Sequence, residues 1–313
     1  MPPPSPPHPD ATDPVAWASE RLGSFLDDHR RVLVLTGAGC STDAGIPDYR
    51  DRDGLWKRPE PMRYQVFVAD AAARQRYWAR SMAGWLGFAN ARPTTSHASL
   101  ASLERAACID SIVTQNVDGL HGLAGSREVI DLHGRLDRVT CLCCGAREAR
   151  IAFQERLIGA NPAWHDVEAT AAPDGDADLD VTDFSGFRVP ACQACGGILK
   201  PDVVFFGETV PADRIAAVMK RLESADAMLV VGSSLMVHSG YRYARWAAES
   251  GRPVAALNLG RTRADPLLTL KLDAPCAPVL AAVAAGVRRS QRLARRLAPT
   301  ALGGSADANA HPS

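Results

Sequence analysis

TGAGCSTDAGIPDYR, Thr36–Arg50, follows the apolar, β-branched run RVLVLT at 31–36. A buried strand running straight into a glycine turn is the start of a dinucleotide-binding unit, where backbone amides approach phosphates. The pattern then breaks. Thr42 stands where G-x-G-x-x-G needs its third glycine, and an acid, an aromatic ring and an arginine follow Gly45. A loop that only cradled phosphates would have no use for Ile46-Pro47-Asp48-Tyr49-Arg50.

Outward from this loop, short apolar runs recur: SIVTQN (111–116), EVIDLHG (128–134), AMLVVGSSL (227–235) and PVAALNLG (253–260). Helical spacing precedes the first strand at 15–30 and lies between later runs at 212–224 and 241–250. Strands alternating with helices predict an α/β fold with a parallel sheet covered on both faces, and ligands beyond the carboxyl ends of its strands. Two regions interrupt the alternation. Residues 51–103 are helical and rich in Arg, Trp and Tyr, and 136–200 carry paired cysteines and an acidic loop, APDGDADLD. Both read as insertions forming a smaller lobe. The remainder, 15–135 and 201–286, makes the main domain.

The chain has 313 residues, 46% of them apolar, and formal net charge zero. That composition fits a globular protein with no global pull toward nucleic acid or anionic membranes, and no apolar run approaches the roughly 20 residues a membrane helix needs. The proline-rich first 14 residues read as a disordered arm. Residues 287–313 read as a basic helix end, a solvated face, followed by a disordered tail. With no export signal legible, a reducing cytoplasmic setting is expected, in which paired cysteines mean metal more often than disulfides.

Cys141 and Cys144 in CLCCG, and Cys192 and Cys195 in CQACGG, form two C-x-x-C knuckles separated by 47 residues. Four thiolates satisfy tetrahedral Zn2+ and leave no open position, so the ion would be structural. Two disulfides are the alternative. Cys143 is a spectator, and Cys40 a small buried side chain.

Polar groups gather after the strands. Gln115, Asn116, Asp118 and His121 follow one, His133 another, and Gly232, Ser233 and Ser234 a third. An imidazole takes a proton near neutral pH without heavy tuning. A lone histidine there is more often structural; its company makes His133 a candidate base.

GAGCSTDAGIPDYR, QNVDGLH, DLHG, the two C-x-x-C pairs, KPDVVFFGE, GSSLMV and LNLG stand in the order found in sirtuins, the NAD-dependent protein lysine deacylases, and the resemblance spans about 15–283. RQRYWAR, APDGD and GGILKPDVVFFGETV look most like the class that includes the mitochondrial lipoamidase and ADP-ribosyltransferase-type sirtuin. The resemblance implies a Rossmann-like domain, NAD and one zinc ion. It implies that Gly37, Ala38 and Gly39 approach the pyrophosphate. Ile46, Asp48 and Asn116 would take nicotinamide, with Asp48 on its carboxamide, and Tyr49 stands where phenylalanine is usual. Arg50, Gln115, Asp118, Gly232, Ser233, Ser234, Asn258 and Cys276 would complete the cofactor contacts. Gly260 stands where many relatives carry an acid. Implied too is the chemistry: the acyl-lysine carbonyl oxygen displaces nicotinamide, and His133, supported by Asn116 and Asp118, acts as general base through the ribose hydroxyls. Val204, Phe206, Gly207, Glu208, Met236 and Val237 would pair with an extended substrate peptide, although VVFF alone also reads as a core strand. Tyr77 and Arg80, three apart on one helical face, have the spacing that desuccinylating sirtuins use to hold an acyl carboxylate, so acidic or longer acyl groups are expected. Protein mono-ADP-ribosyltransfer is the alternative activity. Acyl-lysine proteins are the expected partners, and a monomer the expected state.

Overall fold

The computed structural model describes residues 13–297 except 165–168, 172–174, 180 and 182. The tail beyond 297 and the first twelve residues of the expected arm lie outside them. Asp13 is no part of an arm: it caps α1 (Pro14–Asp28), accepting from the amides of Val15 and Ala16, with Pro14 in the first turn where its missing N–H costs nothing. The chain continues with β1 (Val32–Thr36), α2 (Tyr64–Ala69), α3 (Ala71–Ala89), α4 (Thr95–Arg105), β2 (Ser111–Thr114), α5 (Leu120–Leu123) and β3 (Val129–Asp131). Then come β4 (Gly134–Cys141), β5 (Arg147–Ala149), α6 (Arg150–Ala160), β6 (Ala169–Ala171), β7 (Ala177–Leu179) and β8 (Leu199–Val203). The last part holds α7 (Ala212–Ser224), β9 (Ala227–Val231), α8 (His238–Glu249), β10 (Val254–Leu257), β11 (Leu270–Leu272) and α9 (Cys276–Leu297).

Six parallel strands form one sheet in the order β11-β10-β9-β1-β2-β3. β1 sits in the middle because its five residues are all buried, covered on one face by α1 and α9 and on the other by α7 and α8. Chain order runs one way from β1 to β3 and the other way from β9 to β11. The strand order therefore reverses between β1 and β9, which opens a crevice at their carboxyl ends. Strands end earlier than the sequence suggests: β2 stops at Thr114, releasing Gln115 and Asn116, and α8 starts three residues before Tyr241.

The smaller lobe is a three-stranded antiparallel sheet, β5-β4-β8, a short β6–β7 hairpin, and helices α2, α3 and α6. The two insertions share one core: Trp78 and Trp85 from the first pack with Phe153, Leu157, Phe187 and Leu199 from the second. α4 departs from the expectation that 51–103 form one insertion. Leu100 and Leu103 are wholly buried with Ile112, Val279 and Val283, so α4 lies against α9 in the main domain. Its buried positions, Ser96, His97, Ser99, Leu100, Ala101, Ser102 and Leu103, carry mostly small or apolar side chains. Among the described residues, no helix is long and apolar enough to cross a membrane.

Candidate active site

The glycine loop and the loop after β9 touch backbone to backbone. A Cβ on Gly37 would stand 2.7 Å from that of Ser233, and one on Gly39 2.9 Å from the Cα of Gly232. Gly37 N donates to Val231 O (3.1 Å) and Gly39 N to Gly232 O (2.9 Å). Gly232 has φ +60°, and Leu235, with no such freedom, is also held in the left-handed region at φ +54°.

The end of β2 is stitched to this cradle by side chains. Asn116 Nδ2 donates to Gly37 O (3.1 Å) and to Ser41 Oγ (3.0 Å); Ser41 Oγ donates to Asp118 Oδ2 (2.7 Å). The other Asp118 oxygen accepts from Leu120 N at the start of α5. Ser233 Oγ donates to Gln115 Oε1 (2.6 Å). Ser41 was not singled out by sequence; its only signal was its place in the STDAG run. Asn258 is buried at the end of β10, and Cys276 begins α9 beside it. Burial pushes the Cys276 thiol up to about 12 and raises the Cys40 thiol too, so neither is poised as a nucleophile.

His133 stands after β3. Its Nδ1 lies 2.9 Å from Gln115 O, and its Nε2 2.8 Å from Ser239 Oγ. A carbonyl can only accept, so Nδ1 carries the proton and Nε2 presents a lone pair. Burial pushes the imidazole down to about 4; the Gln115 carbonyl opposes this, and the cations Arg214 and Arg242 reinforce it.

These strand ends and the smaller lobe enclose a cleft of about 1340 Å³, lined by His133 and by every cofactor and substrate residue read from the sequence. Lining it together is what brings those residues into one place. Several have partners of their own. Asp48 is ion-paired with Lys57. Arg50 donates to Gly54 O (2.7 Å) with its guanidinium 3.7 Å from the centre of the Trp56 ring. Tyr49, Trp56 and Phe206 meet edge to face, and all three line the cleft. Gly260, with φ +81°, has Arg52 O only 2.2 Å from where a Cβ would stand, so an acid there would collide with Arg52.

On the substrate side, Val203, Val204, Phe205 and Phe206 all line the cleft; Val203 and Phe205 are buried in the smaller lobe's core, whereas Val204 and Phe206 are partly exposed. Phe206 already bridges to Arg63, with Tyr64 N donating to Phe206 O. Glu208, expected to meet a peptide, lines the cleft and also holds Lys200 (3.1 Å) and the Phe205 amide (2.8 Å), since a buried ammonium needs a counter-charge. Tyr77 and Arg80, both on α3, line the cleft. Arg80 is not free, however: it makes a bidentate pair with Asp176 (2.9 and 2.8 Å) and a bond to Asp178 (2.9 Å), and Arg58 also binds Asp178. The hairpin reaches Arg80 because Gly84 lets α3 touch the Gly175 carbonyl, where a Cβ would come within 2.5 Å.

The four knuckle cysteines converge at the tip of the smaller lobe, their sulfurs all within 4.8 Å of one another. Cys141 and Cys195 are 3.5 Å apart, Cys144 and Cys192 3.8 Å. Tetrahedral thiolates about 2.3 Å from a zinc ion would be separated by similar distances, so the set fits one structural Zn2+ rather than two disulfides. The Cys143 amide donates to Cys141 Sγ (3.4 Å).

The model of the Sir2 family matches residues 37–239. The chain is 58% identical over 267 residues to the NAD-dependent protein deacetylase of Xanthomonas campestris pv. campestris (strain 8004), covering 85% of this chain and 91% of that protein. It is 57% identical over 264 residues to NAD-dependent protein deacetylase 2 of Bradyrhizobium diazoefficiens, covering 84% and 97%. Among solved structures, one described as a Sir2 homolog–NAD complex superposes with a TM-score of 0.66 at 29% identity, covering 91% of this chain and 97% of that one. Another, on the mechanism and regulation of Sir2 enzymes, gives 0.68 at 28%, covering 87% and 98%. The chain belongs to the Sir2 family.

Proposed function

We propose that the protein is an NAD-dependent protein lysine deacylase, which moves the acyl group of a modified lysine onto ADP-ribose and releases nicotinamide. The observation that carries this is His133: the Gln115 carbonyl fixes its tautomer, and its accepting nitrogen opens on the cleft that the glycine cradle also lines. The close deacetylase relatives support the same reading.

Each strand end has a task in it. Gly37 and Gly39, with no Cβ, let the glycine loop and the loop after β9 close on each other, which sets Ala38, Ser233 and Ser234 around the space for the pyrophosphate. Asn116, Ser41 and Asp118 form a polar chain that holds the nicotinamide end of the cleft in one arrangement. Bound NAD supplies a glycosidic bond to a cationic pyridinium, a good leaving group. His133 Nε2 takes the proton of a ribose hydroxyl, which turns that hydroxyl into a nucleophile toward the transferred acyl carbon.

The pairing of Arg80 changes the expected acyl preference. An acyl chain ending in a carboxylate must displace Asp176 from the guanidinium, whereas a neutral one leaves the pair intact. We therefore favour neutral acyl groups over succinyl or glutaryl. Peptides carrying acetyl-, succinyl- and glutaryl-lysine, incubated with NAD and read by mass spectrometry, test both points. Nicotinamide with O-acyl-ADP-ribose is expected, fastest from a neutral acyl group. A covalent ADP-ribose adduct on protein would assign mono-ADP-ribosyltransfer instead, and intact NAD with every peptide would remove the reading. Asp176→Asn with Asp178→Asn should raise succinyl turnover relative to acetyl; no change would remove the account of Arg80.

A further inference from the structure

Ser239 lies in the first turn of α8, a position that no motif flagged. Its Oγ is 2.8 Å from His133 Nε2. Since Nδ1 donates to Gln115 O, the Nε2 lone pair is an acceptor and the serine hydroxyl is its donor. The contact is held from both sides. Gln115 is fixed by Ser233, and a Cβ on Gly240 would stand 2.5 Å from the Gln115 amide nitrogen. The first turn of α8 is thus pressed against the same residue whose carbonyl grips the other edge of the imidazole.

The electrostatics give this serine work to do. A histidine base must tolerate a positive charge after it takes a proton, and many bases have a carboxylate behind the ring for that purpose. Among the described residues, no carboxylate is hydrogen-bonded to His133. The charged groups that bear on it are Arg214 from α7 and Arg242 from α8, and both oppose a second proton. A hydroxyl, unlike an ammonium or guanidinium, can reverse its role from donor to acceptor.

We propose that Ser239 is a positioning residue for His133, donating to Nε2 in the free protein and accepting from the Nε2–H bond once the imidazole has been protonated. The serine O–H rotates away as a sugar hydroxyl arrives, so the lone pair passes to the incoming group. That group's proton moves to Nε2, its oxygen keeps the electron pair, and Ser239 Oγ then shares the new N–H. Serine neither gains nor loses a proton overall. The idea rests on the deacylase reading for its kinetic part, while its structural part does not.

The test compares wild type with Ser239→Ala and Ser239→Thr in the full chain. Loss of a hydrogen bond to a charged group should lower kcat for acyl transfer by about tenfold. KM for NAD and the rate of nicotinamide exchange, which precedes the base, should stay near wild type, and the threonine variant should recover kcat. In the ligand-free protein, nitrogen-15 imidazole spectra should show the His133 Nε2 resonance displaced in the alanine variant and returned in the threonine variant. An unmoved resonance overturns the contact. A wild-type kcat in Ser239→Ala, or equal losses in exchange and transfer, overturns the role. If wild type itself leaves NAD uncleaved, the deacylase reading fails and the kinetic role fails with it, and the spectra still decide the contact.

Discussion

His121 sits wholly buried in α5, its Nε2 2.8 Å from Thr36 Oγ1 and its ring 4.6 Å from that of His97, tilted by 60°. Its Nδ1 has no hydrogen-bond partner among the described residues. Burial, with a smaller push from His97, drives its pKa down to about 3 from an ordinary value of 6.5. A lowered histidine pKa in the folded state means that the unfolded chain binds the proton more readily. Stability is then full above pH 6.5 and is lost as pH falls, the loss saturating near pH 3. At pH 5 the unfolded histidine is almost fully charged and the folded one almost neutral, so His121 should cost about 2 kcal/mol. The figure barely changes if the folded pKa is a unit higher, because both values lie below pH 5. That is a large share of a typical stability of about 5–15 kcal/mol. Other groups whose protonation differs between the folded and unfolded chains also respond to acid, so the measurement is a double difference: urea unfolding at pH 7.5 and 5.0, for wild type and for His121→Gln. The variant should lose about 2 kcal/mol less on acidification. Equal losses in the two proteins, or an NMR titration midpoint of His121 near 6.5, would refute the reasoning.

Other expectations follow from the same geometry. His133→Ala should lower deacylation by about 10² to 10⁴ while the protein still unfolds cooperatively, as checked by steady-state rates and melting. Because His133 is pushed down to about 4 in the free protein, kcat/KM should hold its plateau to well below pH 6.5 as pH falls. Cys144→Ser should abolish zinc retention by elemental analysis, and Cys143→Ser should keep one ion per chain, since Cys143 lies outside the sulfur cluster. Gly260→Asp puts a side chain at φ +81° against Arg52 O and should destabilise by about 1–3 kcal/mol from backbone strain alone, with a raised KM for NAD.

What the sequence made legible was local. β1 and the glycine loop announced themselves because a run of five buried residues must lie inside a sheet, and the next residues must turn without a Cβ. The knuckles were legible because two thiols three apart have few other uses in a reducing setting. The partners that tune the site were not. Arg80 and Asp176 are 96 residues apart, Gln115 and Ser233 118, and His133 and Ser239 106. No periodicity encodes such pairings; they exist only after the sheet reverses direction and the hairpin folds onto α3. For the same reason the spacing of Tyr77 and Arg80 placed them on one face without showing that an aspartate already held the guanidinium.

The alternation of Val203, Val204, Phe205 and Phe206 joins the zinc end of the molecule to its chemistry. Extended backbone sends successive side chains to opposite sides, so Val203 and Phe205 anchor in the smaller lobe while Val204 and Phe206 stay partly exposed, and all four line the cleft. The same lobe core contains Cys141, Cys192 and Leu199, the first residue of β8. Val204 N in turn donates to His133 O (2.8 Å), so this lining hangs directly on the residue that carries the base. A zinc ion held by Cys141, Cys144, Cys192 and Cys195 would tie the end of β4 to the segment that enters β8, and β8 leads straight into the residues that line the cleft.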